Sequence, residues 1–168
     1  ILSSISTSKV SAITSGQIGA LSLSQTKSLT TGQIEKISEE AIAGLKTAQL
    51  NGLSTAQVKA LSTSQLSAMT SLQVQAINTA AISQISTDKL KTLEPSFIQS
   101  LSASQVRALT ATQVNNLTDD QIASIDSGDI ANLNTAVLSS ITTDKLVALN
   151  STQVSALSSI QIKSLISS

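Results

Sequence analysis

The sequence contains no cysteine, histidine, tryptophan or tyrosine, and Phe97 is its only aromatic residue. The absence of cysteine excludes disulfides and thiolate chemistry, and the absence of histidine removes the commonest metal ligand and general base. One aromatic side chain is too few for the stacking that single-stranded nucleic acid binding usually requires. We therefore expect that the protein is not an enzyme and that it has no catalytic, metal-binding or cofactor-binding residues.

Charge and long apolar segments are also scarce. Ten basic and ten acidic residues give the 168-residue chain a formal net charge of zero. A neutral chain has no long-range attraction to nucleic acid or anionic membranes, and little repulsion between its own copies. No apolar run approaches the roughly 18 residues of a membrane helix. We expect no nucleic-acid partner and no membrane span, and no signal peptide is visible.

What the sequence has is an eight-residue repeat. An apolar residue recurs at every eighth position from Ile5 to Leu165, and this is taken as position 1 of each octad. A second apolar series, at position 6, runs from Val10 to Ile162 and is interrupted only by Thr26. The consensus is L-[ST]-[TS]-x-Q-[VI]-x-[AS]. Two series in register along the chain predict an array of about twenty copies of one unit.

The spacing excludes a single long element. In a continuous helix the apolar stripe would rotate by about 80° per octad and face no one core. In a continuous strand the two apolar positions would point to opposite faces. The chain must therefore bend within every octad.

The residues at positions 2 and 5 indicate a short capped helix in each octad. Position 2 is mostly Ser, Thr, Asn or Asp, the preferred helix N-caps, and glutamine often follows three residues later, as in a capping box. Pro95 falls at the first helical position, which favours proline. Lys46 and Glu94 are poor caps and predict weaker turns. The capping-box glutamines identified from this spacing are Gln17, Gln33, Gln57, Gln65, Gln105, Gln113, Gln121 and Gln153.

These features predict an all-α fold, a single solenoid over residues 1–168 in which each capped turn is stable only when stacked on its neighbours. The small residue at position 8 would let neighbouring turns approach closely. Two or three octads per coil both fit the spacing. The alternative is a β-solenoid with a corner in each octad.

Several residue groups could carry chemistry, although each also has a purely structural interpretation. Ser8 and Lys9 could form a Ser–Lys pair, or a capped turn with a solvated lysine. An acidic cluster could bind calcium, although its spacing matches no calcium loop. Three lysines 32 residues apart could form a ladder for an acidic polymer, or be scattered surface residues. The acidic residues are Asp119, Asp120, Asp126 and Asp129, and the lysines are Lys27, Lys59 and Lys91.

Six apolar residues stand at positions that are usually polar, and they either fill gaps in the core or form contacts with another copy. The apolar ends, Ile1-Leu2 and Leu165-Ile166, predict further repeats or end-to-end contact between chains, because solenoid termini are usually polar. The six residues are Leu23, Leu72, Phe97, Val137, Val147 and Ile160.

The octad resembles low-complexity repeats in secreted or surface, adhesin-like proteins of Gram-negative bacteria. That resemblance implies an extracellular location and a structural or adhesive role. Residues 109–114 are also similar to the opening of TAL-effector repeats, but the longer unit and base-reading loop of that family are absent. We expect a fibre, stalk or matrix protein whose partner is its own copies. The alternative is a solenoid that binds a surface polysaccharide, a protein or ice.

Overall fold

The computed structural model describes residues 2–166, and their regular structure is helical throughout. Among them there is no β-strand, so the all-α prediction is confirmed and the β-solenoid alternative is wrong. None of these helices is long and apolar enough to cross a membrane. Ile1 and the side chains of Leu2 and Ile166, which the sequence placed at apolar ends, lie outside the described part of the chain.

The chain divides into two compact units, Ile1–Ile85 and Ser86–Ser168. After a 3-10 turn at Leu2–Ser4, the helices of unit 1 are α1 Thr7–Val10, α2 Ser15–Ala20, α3 Leu23–Lys27, α4 Thr31–Lys36, α5 Glu39–Ile42, α6 Thr47–Asn51, α7 Thr55–Ala60, α8 Thr63–Ser67, α9 Ser71–Ala76 and α10 Thr79–Ile82. Those of unit 2 are α11 Thr87–Thr92, α12 Pro95–Gln99, α13 Ala103–Arg107, α14 Ala111–Asn116, α15 Asp119–Ser124, α16 Ser127–Ile130, α17 Thr135–Leu138, α18 Thr143–Val147, α19 Ser151–Ala156 and α20 Ser159–Ile166.

Most octads fold as the capping pattern predicts. In residues 53–60, Ser54 has an extended backbone (φ −69°, ψ 159°) and its hydroxyl accepts a hydrogen bond from the Gln57 amide. The side chain of Gln57 accepts one from the Ser54 amide, which completes the capping box. Leu61 is again extended and begins the next octad. The bend required in every octad therefore lies between the end of one helix and the cap of the next.

The departures from the pattern also follow capping chemistry. Pro95 is the first residue of α12, where its missing amide hydrogen has no helical partner to lose. Neither Lys46 nor Glu94 makes a side-chain cap. Asn78, Asp126 and Asn134 accept from the second helical amide instead of the third.

One coil of the solenoid contains three octads. Within unit 1 each helix from α1 to α7 packs on the third helix after it, so that α1 contacts α4 and α7 contacts α10. In unit 2 the same spacing joins α11 with α14, α12 with α15, α13 with α16, α14 with α17, α16 with α19 and α17 with α20. Of the two spacings that the sequence left open, the structure has the longer one.

The core is formed by positions 1 and 6, as the repeat predicts. Every position-6 side chain from Val10 to Leu138 is at most 1% exposed. Thr26, the polar exception, is fully buried, and its hydroxyl donates to the Ser22 carbonyl one turn earlier in its own helix. Because that hydroxyl is satisfied, one threonine can occupy the apolar series at little cost.

Close approach between coils requires a small residue at Gly44, which occupies position 8. A Cβ atom there would collide with the backbone of Ser15, one coil earlier. The small eighth residue therefore has the role that the sequence predicts for it, at the contact between α2 and α5.

Candidate functional site

The polar feature that recurs most regularly in the described part of the chain is a series of buried glutamines at position 5, which we call the ladder glutamines. Gln57 is 4% exposed. Its Oε1 accepts from the Ser54 amide at 2.9 Å, within its own octad. Its Nε2 donates to the carbonyls of Leu29 at 2.8 Å and Thr26 at 3.2 Å, one coil earlier. One side-chain amide thus closes the start of its own helix and the end of the helix beneath it.

The same arrangement recurs in both units. In unit 1, Nε2 of Gln65 donates to the carbonyls of Ile34 at 2.8 Å and Ile37 at 2.6 Å. In unit 2, Nε2 of Gln121 donates to those of Leu90 at 2.8 Å and Leu93 at 2.6 Å. The other glutamines with such bonds inside one unit are Gln33, Gln49, Gln73, Gln153 and Gln161.

The ladder glutamines provide hydrogen-bond partners for carbonyl groups that short helices leave unpaired. The last four carbonyls of a helix have no partner within it, and in a four- to six-residue helix these are most of the carbonyls present. A buried unpaired polar group costs about 1–3 kcal/mol. No buried side-chain nitrogen or oxygen in the described part of the chain lacks a hydrogen bond. The glutamine amide is therefore a structural clamp between coils.

The capping pattern identified the Oε1 half of this clamp and missed the Nε2 half. A signal was present, because the same position is also occupied by Ala41, Ala81, Phe97 and Val137, all of them buried. A position shared by glutamine and apolar residues is an interior position. The apolar substitutions could therefore have indicated that the glutamines point inward.

Comparison with protein families gives an independent result. The model of the ALTTAQ repeat matches residues 34–71, 42–79 and 122–159, which together cover half of the chain. The first two matches are offset by eight residues, one octad. The chain belongs to the ALTTAQ repeat family. The letters A-L-T-T-A-Q run from position 8 to the ladder glutamine, as in Ala60–Gln65 (ALSTSQ) and Ala148–Gln153 (ALNSTQ). No curated protein matches the chain.

The acidic residues of the ALTTAQ array have structural contacts. Asp119 lies 2.8 Å from the Lys145 ammonium, and Asp126 caps α16 by accepting from the Gly128 amide at 2.8 Å. Asp129 occupies a ladder position, and burial, with a smaller effect of the nearby Asp126 charge, raises the pKa of its carboxyl group. Asp120 is exposed in the first turn of α15. No group of three or more acidic residues within residues 2–166 is arranged to hold a metal ion.

The basic candidates are also separated in the fold. Ser8 and Lys9 are exposed on α1, and the Ser8 hydroxyl lies 3.1 Å from that of Ser6. Lys27 and Lys59 are exposed in unit 1 on α3 and α7. A spacing of 32 residues is four octads, one more than a coil, so these two lysines do not stack as a ladder.

The six apolar residues at polar positions divide into two kinds. Phe97 and Val137 are 5% and 8% exposed and fill ladder positions. Leu72, Val147 and Ile160 are each more than 70% exposed, and Leu23 is 43% exposed. The exposed residues stand singly on different helices, so the surface contact predicted for them remains a prediction.

Proposed function

We propose that this ALTTAQ repeat protein is a structural protein that builds an extracellular fibre, stalk or matrix by stacking and self-association. The observation that carries the proposal is that one contact, a glutamine clamp over an aliphatic layer, recurs from coil to coil. A contact that repeats in this way can be extended by adding coils of the same kind. The zero net charge leaves little repulsion to oppose such growth.

The positions and contacts of the polar side chains support a structural role. The ladder glutamines are buried, and position-2 hydroxyls such as those of Thr14, Ser54 and Thr110 cap helices. Side chains that could otherwise bind or react are thus used to hold the fold. We therefore expect no enzymatic activity.

Negative-stain microscopy of the purified chain tests the proposal. We expect elongated assemblies whose length increases with protein concentration, together with a helical circular dichroism spectrum. A chain that remains a helical monomer at all concentrations up to the millimolar range would contradict it.

A binding module for a polysaccharide, a protein or ice is the second candidate. It is favoured by an open groove of about 320 Å³ in unit 2, between the α15–α16 corner and α19. Against a sugar ligand, Phe97 is buried and offers no aromatic face to a sugar ring. A monomer that is retained on a polysaccharide matrix would favour this candidate. The groove is lined by polar side chains that include Gln99, Ser124, Asp126, Asn150 and Thr152.

Placement outside a bacterial cell is part of the proposal and is supported by the resemblance of the octad to repeats of surface proteins. Labelling of intact source cells with an antibody against the chain tests it. We expect labelling without permeabilisation, and labelling that requires permeabilisation would contradict the extracellular location.

A further inference from the structure

Two neighbouring grooves of unit 2 are built from equivalent parts of the repeat. One is the groove of about 320 Å³ between the α15–α16 corner and α19. The other, which we call the Arg107 groove, lies between the α16–α17 corner and α20 and has a volume of about 290 Å³. Every residue that lines the Arg107 groove stands eight positions after a residue that lines the first groove. The repeat therefore supplies two similar sites, and their side chains decide what each can bind.

The two grooves differ in charge. Among the described residues, Asp126 is the only charged side chain that lines the first groove, and Arg107 is the only one that lines the second. The first groove has Gln99 at the position equivalent to Arg107, and the second has Asn134 at the position equivalent to Asp126. A step of one octad thus changes an acidic groove into a basic one.

The hydrogen-bond donors of the Arg107 groove are available to a ligand. Arg107, the only arginine of the chain, is exposed, and within residues 2–166 its guanidinium group makes no hydrogen bond or ion pair. The Asn134 side chain uses its oxygen to accept from the Ala136 amide at 2.9 Å, which leaves its Nδ2 hydrogens for another partner. A guanidinium group can bind a carboxylate through two parallel hydrogen bonds. The groove is therefore suited to a carboxylate with further hydrogen-bonding groups around it.

The rest of the lining favours a carboxylated sugar as the ligand. Thr135 and Ser158 add hydroxyl groups to the groove. Ile160, which is 71% exposed, adds an aliphatic surface where the first groove has Thr152. A hexuronic acid presents a carboxylate, several hydroxyl groups and a face of C–H bonds, so one ring can contact all three kinds of side chain. An open groove also lets a polymer chain pass through it.

We propose that the Arg107 groove binds a polysaccharide that contains carboxylated sugars such as hexuronic acids. Arg107 binds the carboxylate, Asn134 and Thr135 bind ring hydroxyl groups, and Ile160 contacts the C–H face. This binding goes beyond self-association and does not depend on it, so either can fail without the other. It gives the second candidate function a ligand class and a site separate from the acidic groove.

Isothermal titration calorimetry of the full chain with oligogalacturonate, at physiological ionic strength, tests the inference. Arg107→Gln gives the groove the residue that its neighbour has, at an exposed position where the fold should not change. Lys59→Gln is the matched control, because it removes the same charge from an exposed position 7 in unit 1. We expect Arg107→Gln to weaken binding at least about tenfold and Lys59→Gln to change it less than about twofold. The uncharged maltohexaose should bind at least about tenfold more weakly than oligogalacturonate.

The outcomes that overturn the inference are distinct. Absence of oligogalacturonate binding, equal binding of the two oligosaccharides, or equal losses in the two variants would each contradict it. Hexaglutamate tests whether the carboxylate alone is recognised. If that peptide binds as tightly as oligogalacturonate and depends equally on Arg107, the assignment to a sugar is wrong. Retention on a polysaccharide matrix that Arg107→Gln leaves unchanged would keep the second candidate function and overturn the Arg107 groove as its site.

Discussion

Two sets of three consecutive octads, one in each unit, are held together in different ways. In unit 1, position 5 of successive octads is Gln57, Gln65 and Gln73, and each donates to carbonyls one coil earlier. In unit 2, three successive octads have Asp129, Val137 and Lys145 there. None of these three is a glutamine, so the second set has no ladder glutamine.

The difference is visible in the helices. In the ladder set they are α7, α8 and α9, with six, five and six residues. In the substituted set they are α16, α17 and α18, with four, four and five. The caps differ as well: Asp126 and Asn134 accept from the second helical amide, whereas Ser54 and Ser62 accept from the third. The glutamine therefore completes the cap of its own helix and also makes the link to the coil before it.

In the substituted set, the hydrogen bonds between coils are made by a side chain of the preceding coil. Asn115, on α14, donates its amide hydrogen to the Ser140 carbonyl at 2.9 Å and accepts from the Thr142 amide at 3.0 Å. In a ladder octad the Thr142 amide would be paired with the glutamine, which Lys145 replaces. Lys145 in turn reaches Asp119 one coil earlier. A missing clamp can thus be replaced by side chains of the preceding coil.

The largest expected effect is the loss of an aliphatic layer, which both sets share. Leu61→Asp places a charge at a fully buried position, and we expect a loss of at least about 4 kcal/mol of unfolding free energy. Chemical denaturation of the full chain measures it. Lys59→Ala, two residues earlier and exposed, should change stability by less than about 0.5 kcal/mol. Equal losses would mean that the inside and outside of the octad are assigned wrongly.

A smaller effect is expected where Asn115 replaces the ladder. Asn115→Ala removes both of its hydrogen bonds to the next coil, and we expect a loss of about 1–2 kcal/mol. Asn116→Ala is the control, because that amide donates only to the Thr112 carbonyl within its own helix. Denaturation curves in which the two variants are equally stable would exclude Asn115 as a link between coils.

The smallest expected effect is a pH dependence of the unfolding free energy, and it comes from Asp129 in the substituted set. Burial raises the pKa of the Asp129 carboxyl group above its value in the unfolded chain. Around and between these two pKa values, the folded state binds the proton more tightly than the unfolded state does. Asp129 therefore makes stability rise as the pH falls from neutrality through the raised pKa, and the gain is complete below the unfolded value. On its own helix and on the two helices packed against it, the other charged residues are Asp126, which caps α16, and Arg107 on α13, while α19 carries none.

Other carboxyl groups titrate in the same range, so the measurement is a difference. Unfolding free energy is followed against pH for the original chain and for Asp129→Asn, which cannot ionise. We expect the advantage of Asp129→Asn to shrink as the pH is lowered. A constant difference between the two curves would show that Asp129 does not titrate differently on folding.

The sequence predicts the local structure of this protein better than its stacking. The caps and the two apolar layers are encoded within eight residues, so a single octad such as 53–60 displays them. The coil of three octads depends on how α1 meets α4, and the second bond of Gln57 is made to residues 28 and 31 positions earlier. Such contacts between coils produce no pattern in the sequence that repeats every eight residues. Only the apolar residues that replace the glutamine, Phe97 among them, pointed to an interior position.

The most direct test of the account is to convert one buried and one exposed position-5 glutamine to glutamate. Glutamate keeps the capping-box acceptor in both octads but cannot donate to a carbonyl. Gln65→Glu should therefore lose at least about 2 kcal/mol of unfolding free energy at neutral pH, because its charge would face the carbonyls of Ile34 and Ile37. Gln17→Glu, exposed in the first coil, should change by less than about 0.5 kcal/mol. Equal changes in the two variants would contradict the claim that the ladder glutamines hold the coils together.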